Sequence, residues 1–177
     1  METNPVLLTI QNRRSRRRYT DTDLSSDTIN AILEAGRWAP SGLNNQPWKF
    51  SIINNSEIKE KLAGLTKYSR IIRSCHTCIA VFYHIPSGYN RDKDIMSIGA
   101  CIQNMLLAAE SLHVGAVWLG EILNRKEEVS QVLNIDIQHE LMAIISLGYS
   151  EEEPKTARKN LDDLMLNSYV DQLPRQK

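Results

Sequence analysis

Between Asp94 and Glu110 the chain carries no charged residue, and the stretch reads IMSIGACIQNMLLAA. At about fifteen residues it is shorter than the roughly 20 needed to cross a bilayer, and Ser97, Gln103 and Asn104 interrupt it, so it predicts a buried helix. A helix that is apolar on most sides must be covered on most sides. It is therefore the centre of a core, part of a subunit interface, or both. Whatever fold this chain adopts has to be built around that helix.

The flanking sequence supplies strands to pack on it. Trp48, Phe50 and Ile52 alternate with Lys49 and Ser51, the period of a half-buried strand. CIAVFYHI at 78–85, AVWLG at 116–120 and LMAIISLG at 141–148 are apolar, β-branched runs suited to buried strands. Helices interleave with them. Asn4 followed by Pro5 opens a helix ending near Arg13, and a second begins at Ser25 or Ser26, carries Ile29, Ile32, Leu33 and Gly36 at helical spacing, and stops before Pro40. Ser56 caps a third through Leu65, a fourth runs from Asn124 to about Leu133, and SGYNRDK at 87–93 reads as an exposed loop. From Glu151 the chain is charged, with a sparse apolar set of Leu161, Leu164, Met165 and Leu166, which predicts an arm that needs something to lie on. The length fits one domain over residues 1–177, with 151–177 as that arm.

Charge narrows the function classes. With 21 basic and 21 acidic residues the net charge is zero, so no whole-molecule field favours nucleic acid or an anionic membrane. Three cysteines, an odd number, argue against a secreted disulfide framework. The apolar stretch in METNPVLLTIQNRR is too short for a signal segment, so a cytoplasmic location is the expectation.

The most unusual local feature is RRSRRRY, with Arg13, Arg14, Arg16, Arg17 and Arg18 interrupted only by Ser15. Guanidinium forks suit phosphate oxygens, so the run can grip a phosphate monoester. A solvated basic turn and a nucleic-acid patch are the competing readings. PSGLNNQPW at 40–48 is more specific: Pro40 and Pro47 fix the chain, Gly42 lets backbone approach a ligand, and Ser41, Asn44 and Gln46 offer neutral donors and acceptors. Such groups suit a flat heterocycle with polar edges. A lone Cys75-His76-Thr77-Cys78 has no second pair and leads straight into a strand, which favours structural cysteines over metal. His76, His84, His113 and His139 form no ligand-spaced cluster, and no P-loop or GxGxxG is present.

RRSRRRY followed after about twenty residues by PSGLNNQPW resembles the start of nitroreductase-like flavoproteins. IGACIQNMLLAAESLHVGAVWLGEI is similar to that family's central helix and following strand, HELMAIISLGYSEEEP to its last core strand, and KTARKNLDDL to its phosphate-contacting tail. The resemblance implies an α+β fold, a mostly antiparallel central sheet flanked by helices, with the C-terminal arm extended onto the partner subunit of a homodimer. It implies FMN as cofactor and NADH or NADPH as electron donor to a small acceptor such as a nitroaromatic or quinone. A specialised flavin reductase of the same fold, dehalogenase-like or ring-oxidising, is the alternative.

By the same resemblance Arg13 and Ser15 lie near the FMN phosphate with Arg14 close by, and Arg17 lies at the pyrimidine edge, whereas Arg16 and Arg18 point away. Pro40, Ser41, Gly42, Asn44 and Gln46 reach the flavin held mainly by the other subunit. Leu119 and Gly120 present backbone near the flavin's reactive N5, and Arg158 matches the phosphate arginine of the tail, with Lys155 a weaker match. No catalytic acid or base and no metal ligand is expected, and neither nucleic acid nor membrane is expected as a partner.

Overall fold

In the computed structural model, which describes residues 4–167, the uncharged stretch forms the middle of a 21-residue helix. The ten principal elements run α1 (Pro5–Asn12), α2 (Ser26–Arg37), β1 (Trp48–Ile53), α3 (Ser56–Ala63), α4 (Ser69–Ser74), β2 (Thr77–His84), α5 (Arg91–Ser111), β3 (Gly115–Leu119), α6 (Lys126–Val132) and β4 (His139–Gly148). The helix starts follow local chemistry. Asn4 accepts from the Val6 and Leu7 N–H groups ahead of Pro5, Ser25 accepts from Thr28 N–H, and Asn90 accepts from Lys93 N–H.

The four strands form one sheet in the order β1-β2-β4-β3, antiparallel throughout, and Ser15 adds a single parallel bridge to Ala116 outside β3. Helices α2 and α5 cover one face, where Ile32, Ile98, Ile102 and Met105 pack on Ile79, Val81, Ala143 and Ile145. The other face buries Leu62, Ile72, Ile122 and Val129 against Ala80, Phe82, Leu141 and Ile144. In β4 the pairing steps from Ala143–Val81 to Leu141–Phe82, so a bulge at Met142 puts Leu141 and Ile144 in the same core although their parity differs.

Several sequence expectations need correction. Asn55, not Ser56, caps α3, because its side chain accepts from Ile58 N–H. The loop expected over 87–93 is shorter, since its last three residues form the first turn of α5. The helix expected from Asn124 is a 3-10 turn (Glu121–Arg125) leading into α6. Ile52 is 47% exposed and Ile53 is buried, so the alternation of β1 fails at its end.

The long helix is also covered less completely than its composition predicts. Its buried face carries Ile98, Cys101, Ile102, Met105, Leu106 and Ala109, whereas Met96 is 72% exposed and Gln103 faces outward. Helix α1 buries none of its residues and leaves Val6, Leu7, Leu8 and Ile10 exposed. Residues 155–167 of the arm are exposed as well, and the remainder of the expected arm, 168–177, lies outside the described residues. No helix among the described residues is long and apolar enough to cross a membrane.

Candidate functional site

The arginine segment lies against the outer side of β3. Arg16 N–H donates to Ala116 O at 3.0 Å, and Tyr19 pins the far end by donating to Arg16 O and Ser146 O. The five arginines then divide. Arg16 pairs with Glu110 at 2.5 Å, and Arg18 pairs with Glu152 at 2.7 Å. Glu152 also accepts the backbone N–H groups of Arg17 and Arg18. Burial alone would raise the Glu152 pKa, but these donors outweigh it and hold the carboxyl below its ordinary value.

The guanidinium groups of the remaining three have no carboxylate partner among the described residues: that of Arg14 donates to the Gln11 and Arg13 carbonyls, and that of Arg17 to Ser15 O. Among the described residues Arg158, from the tail, bonds only to Thr156 and the Ala157 carbonyl. Burial lowers the Arg13 pKa, and the charges of Arg158 and Arg14 lower it further against an opposing pull from Glu110. An arginine does not lose its proton over such a shift, so Arg13 stays a partly buried cation with the charges of Arg158 and Arg14 near it. Tail and N-terminal segment thus meet in a cluster of cations suited to an anion.

The 40–46 loop is built differently. Gly42–Asn44 form a 3-10 turn in which Leu43, Asn44 and then Gln46 adopt left-handed backbone, with φ of 55°, 55° and 46°. Leu43 at its tip is 84% exposed, and a bulky aliphatic residue in that conformation is a marker of a functional constraint. Ser41 organises the turn: its carbonyl accepts Asn44 N–H and its hydroxyl accepts Gln46 N–H. Pro40 is exposed beside it. Gly42 has an internal reason in addition to the ligand approach expected of it, because a Cβ there would stand 2.1 Å from the Tyr89 hydroxyl.

The third component is the end of β3. The Leu119 side chain is buried and the residue pairs with Ile144 at the end of β3, and Gly120 after it is exposed, with nothing beyond its chain neighbours within 4 Å of where a Cβ would lie. Ala116, beside Ser15, and Leu119 are three residues apart on one strand, about 10 Å at strand rise. Glu121 clamps the turn before α4 by accepting from Thr66 Oγ1 and Lys67 N–H.

The structure places Arg13, Arg14 and Ser15 on the β3 side, with the Arg158 charge felt at Arg13, but it does not bring the 40–46 loop to them. That loop precedes β1, at the opposite edge of the sheet. Glu110, which holds Arg16, and Asp94, which holds the loop through Asn45 Nδ2 at 2.7 Å, lie sixteen residues apart on α5, about 24 Å at helical rise. Glu110, Glu152, Tyr19, Asn45 and Asp94 were not legible as site residues. The one available signal was that Asp94 and Glu110 bound the uncharged stretch.

Cys75, Cys78 and Cys101 are buried free thiols, with Cys75 and Cys78 in sulfur contact at 3.3 Å. Among the described residues no group of three or more His, Cys, Asp or Glu is placed to hold a metal. Trp48 is in the core, and Trp38 and Trp118 are exposed.

Comparison with known proteins identifies the chain's relatives. The sequence profile of the nitroreductase family matches residues 10–69 and 64–149. A protein from Desulfovibrio desulfuricans, provisionally named a nitroreductase and solved in complex with FMN, superposes with a TM-score of 0.92 at 42% identity, over 95% of this chain and 99% of that one. A Methanothermobacter thermautotrophicus protein provisionally named NADH dehydrogenase/NAD(P)H nitroreductase is 34% identical over 158 residues, 85% of this chain and 80% of its own. The NADPH:FMN oxidoreductase of Vibrio harveyi, solved with NAD+, shares the fold at a TM-score of 0.85 and 20% identity, over 97% of this chain and 80% of that one. Fold and sequence together define an oxidoreductase. The chain belongs to the nitroreductase family.

Proposed function

We propose that the protein is an FMN-dependent NAD(P)H oxidoreductase that works as a homodimer and reduces a small acceptor such as a nitroaromatic or quinone. The observation that carries this reading is the division of the basic residues. Arg16 and Arg18 are satisfied by Glu110 and Glu152, whereas Arg13, Arg14, Arg17 and Arg158 hold no carboxylate among the described residues. FMN ends in one phosphate monoester, and guanidinium forks match its oxygens. Two spent arginines out of five also make the run a poor nucleic-acid patch.

Arg13, Arg14, Ser15 and Arg158 hold the phosphate. Arg17 sits at the pyrimidine edge, where a fixed cation favours the negative charge gained on reduction. Leu119 and Gly120 offer backbone to the N5 region. Pro40, Ser41, Gly42, Asn44 and Gln46 come from the partner subunit, a reading supported by the 24 Å scale along α5 and by the uncovered apolar residues of α1, α5 and the arm. Bound FMN supplies the redox chemistry, taking hydride from NADH or NADPH and passing electrons on, so no side-chain acid or base is required.

The test is direct. The purified protein should be yellow and release FMN, not FAD, on denaturation. Colourless protein that also fails to bind added FMN at micromolar concentration would overturn the reading.

A further inference from the structure

Among the described residues Asp94 is the only charged side chain that is fully buried. A buried carboxylate persists only when its oxygens are filled, and four donors converge on this one. Tyr83 OH, Tyr89 N–H and Asn90 N–H reach Oδ2 at 3.2, 3.0 and 3.1 Å, and Asn45 Nδ2 reaches Oδ1 at 2.7 Å. The two N–H groups close the turn that starts α5, and Tyr83 ties the carboxylate to β2. The fourth leaves that turn and enters the 40–46 loop, where the Asn45 amide also donates to Ser87 O at 3.0 Å.

The loop needs such an anchor. Three of its residues hold left-handed backbone, which relaxes unless the surroundings fix it. Residues 87–94 fix it at two points, with the Tyr89 ring against Gly42 and the Asp94 carboxylate against Asn45. Gly88 makes room for this arrangement, since a Cβ there would stand 1.8 Å from the Tyr83 hydroxyl and 3.0 Å from Asp94 Oδ2.

We infer that Asp94 is a positioning residue that, through Asn45, holds the 40–46 loop in the conformation completing the flavin site of the partner subunit. This rests on the shared-site reading above. It differs from a purely structural role for Asp94 in one measurable respect, because the defect of an Asp94 variant must fall in the same half-site as a defect of the loop.

Mixed dimers read that respect. Three variants are needed: Asp94→Asn, a double variant with Arg13→Ala and Arg17→Ala, and a double variant with Ser41→Ala and Asn44→Ala. They are co-expressed in pairs with different tags, purified through both tags, loaded with FMN and assayed for NAD(P)H oxidation. The Asp94→Asn homodimer should lose on the order of tenfold to a hundredfold in activity, as expected for a misplaced binding group. Paired with the arginine variant it should recover about half of wild-type activity, because one of the two sites collects every defect and the other collects none. Paired with the loop variant it should recover nothing.

Wild-type activity in the Asp94→Asn homodimer, or recovery with the loop variant, overturns the inference. If the arginine and loop variants complement each other but Asp94→Asn complements neither, the inference fails and the shared site stands. If those two do not complement each other, the shared-site reading fails and takes this inference with it. Should Asp94→Asn not fold, Asn45→Ala takes its place with the same pattern expected, and full activity in its homodimer breaks the proposed link.

Discussion

The two halves of the site hang from opposite ends of α5 and are built on different physics. At the C-terminal end, Glu110 and Glu152 consume part of a cation run and leave the rest for an anion. At the N-terminal end, Asp94 anchors a loop of neutral groups held in left-handed backbone. On the proposed reading the first half attracts its ligand by charge, over a distance and subject to salt, and the second selects by shape at contact.

The largest stability effect should come from the charged half. The side chains of Arg16 and Glu110 are only 20% and 14% exposed, so Glu110→Met strands a largely buried guanidinium and should cost about 2–4 kcal/mol. A urea midpoint unchanged by that substitution would show that α5 does not hold the segment. Next in size is the affinity contrast. Arg13→Met should weaken FMN binding by about 1.5–3 kcal/mol, tenfold or more, with a loss that shrinks as salt rises. Asn44→Ala should cost about 0.5–1.5 kcal/mol with the salt dependence untouched. Dissociation constants for both across a salt series test the contrast, and parallel curves would abolish it.

Arg17→Met separates functions within the charged half. It should lower the flavin reduction potential while leaving most of the affinity, the reverse of Arg13→Met, and equal shifts in both quantities would refute the division. The smallest effect is expected from Arg18→Met. That side chain is 86% exposed, so losing its pair with Glu152 should cost less than about 1 kcal/mol, with no change in FMN affinity.

The fold was largely legible because its signals are local. The four strands and the long helix announce themselves by period and apolar content, and Asn4 and Ser25 cap the helices their positions predict. What escaped has a physical reason in each case. Six-residue α4 has only Ile71 and Ile72 to bury, too few to show a period. The bulge at Met142 has no mark in LMAIISLG. Within the site, the arginine run was visible, but which arginines remain free depends on Glu110 and Glu152, more than ninety residues away. Leu43 after a glycine reads as an ordinary packing residue, and nothing in the sequence reveals its left-handed backbone.

Six of the eight glycines have neighbours of their own chain within 4 Å of a built Cβ, and two do not. Gly99, in the middle of α5, and Gly120, past the end of β3, face open space among the described residues of the single subunit. A single methyl group at either position is therefore a feeler gauge for what lies outside the polypeptide. In α5, replacing glycine by alanine should by itself add up to about 1 kcal/mol of helix stability. On the proposed reading, a penalty measured for Gly99→Ala would report the closeness of a second subunit, and one for Gly120→Ala the closeness of bound FMN. On the same reading, a methyl group at position 120 would stand beside the bound flavin and narrow the space open to acceptors, with nothing of the described chain in its way.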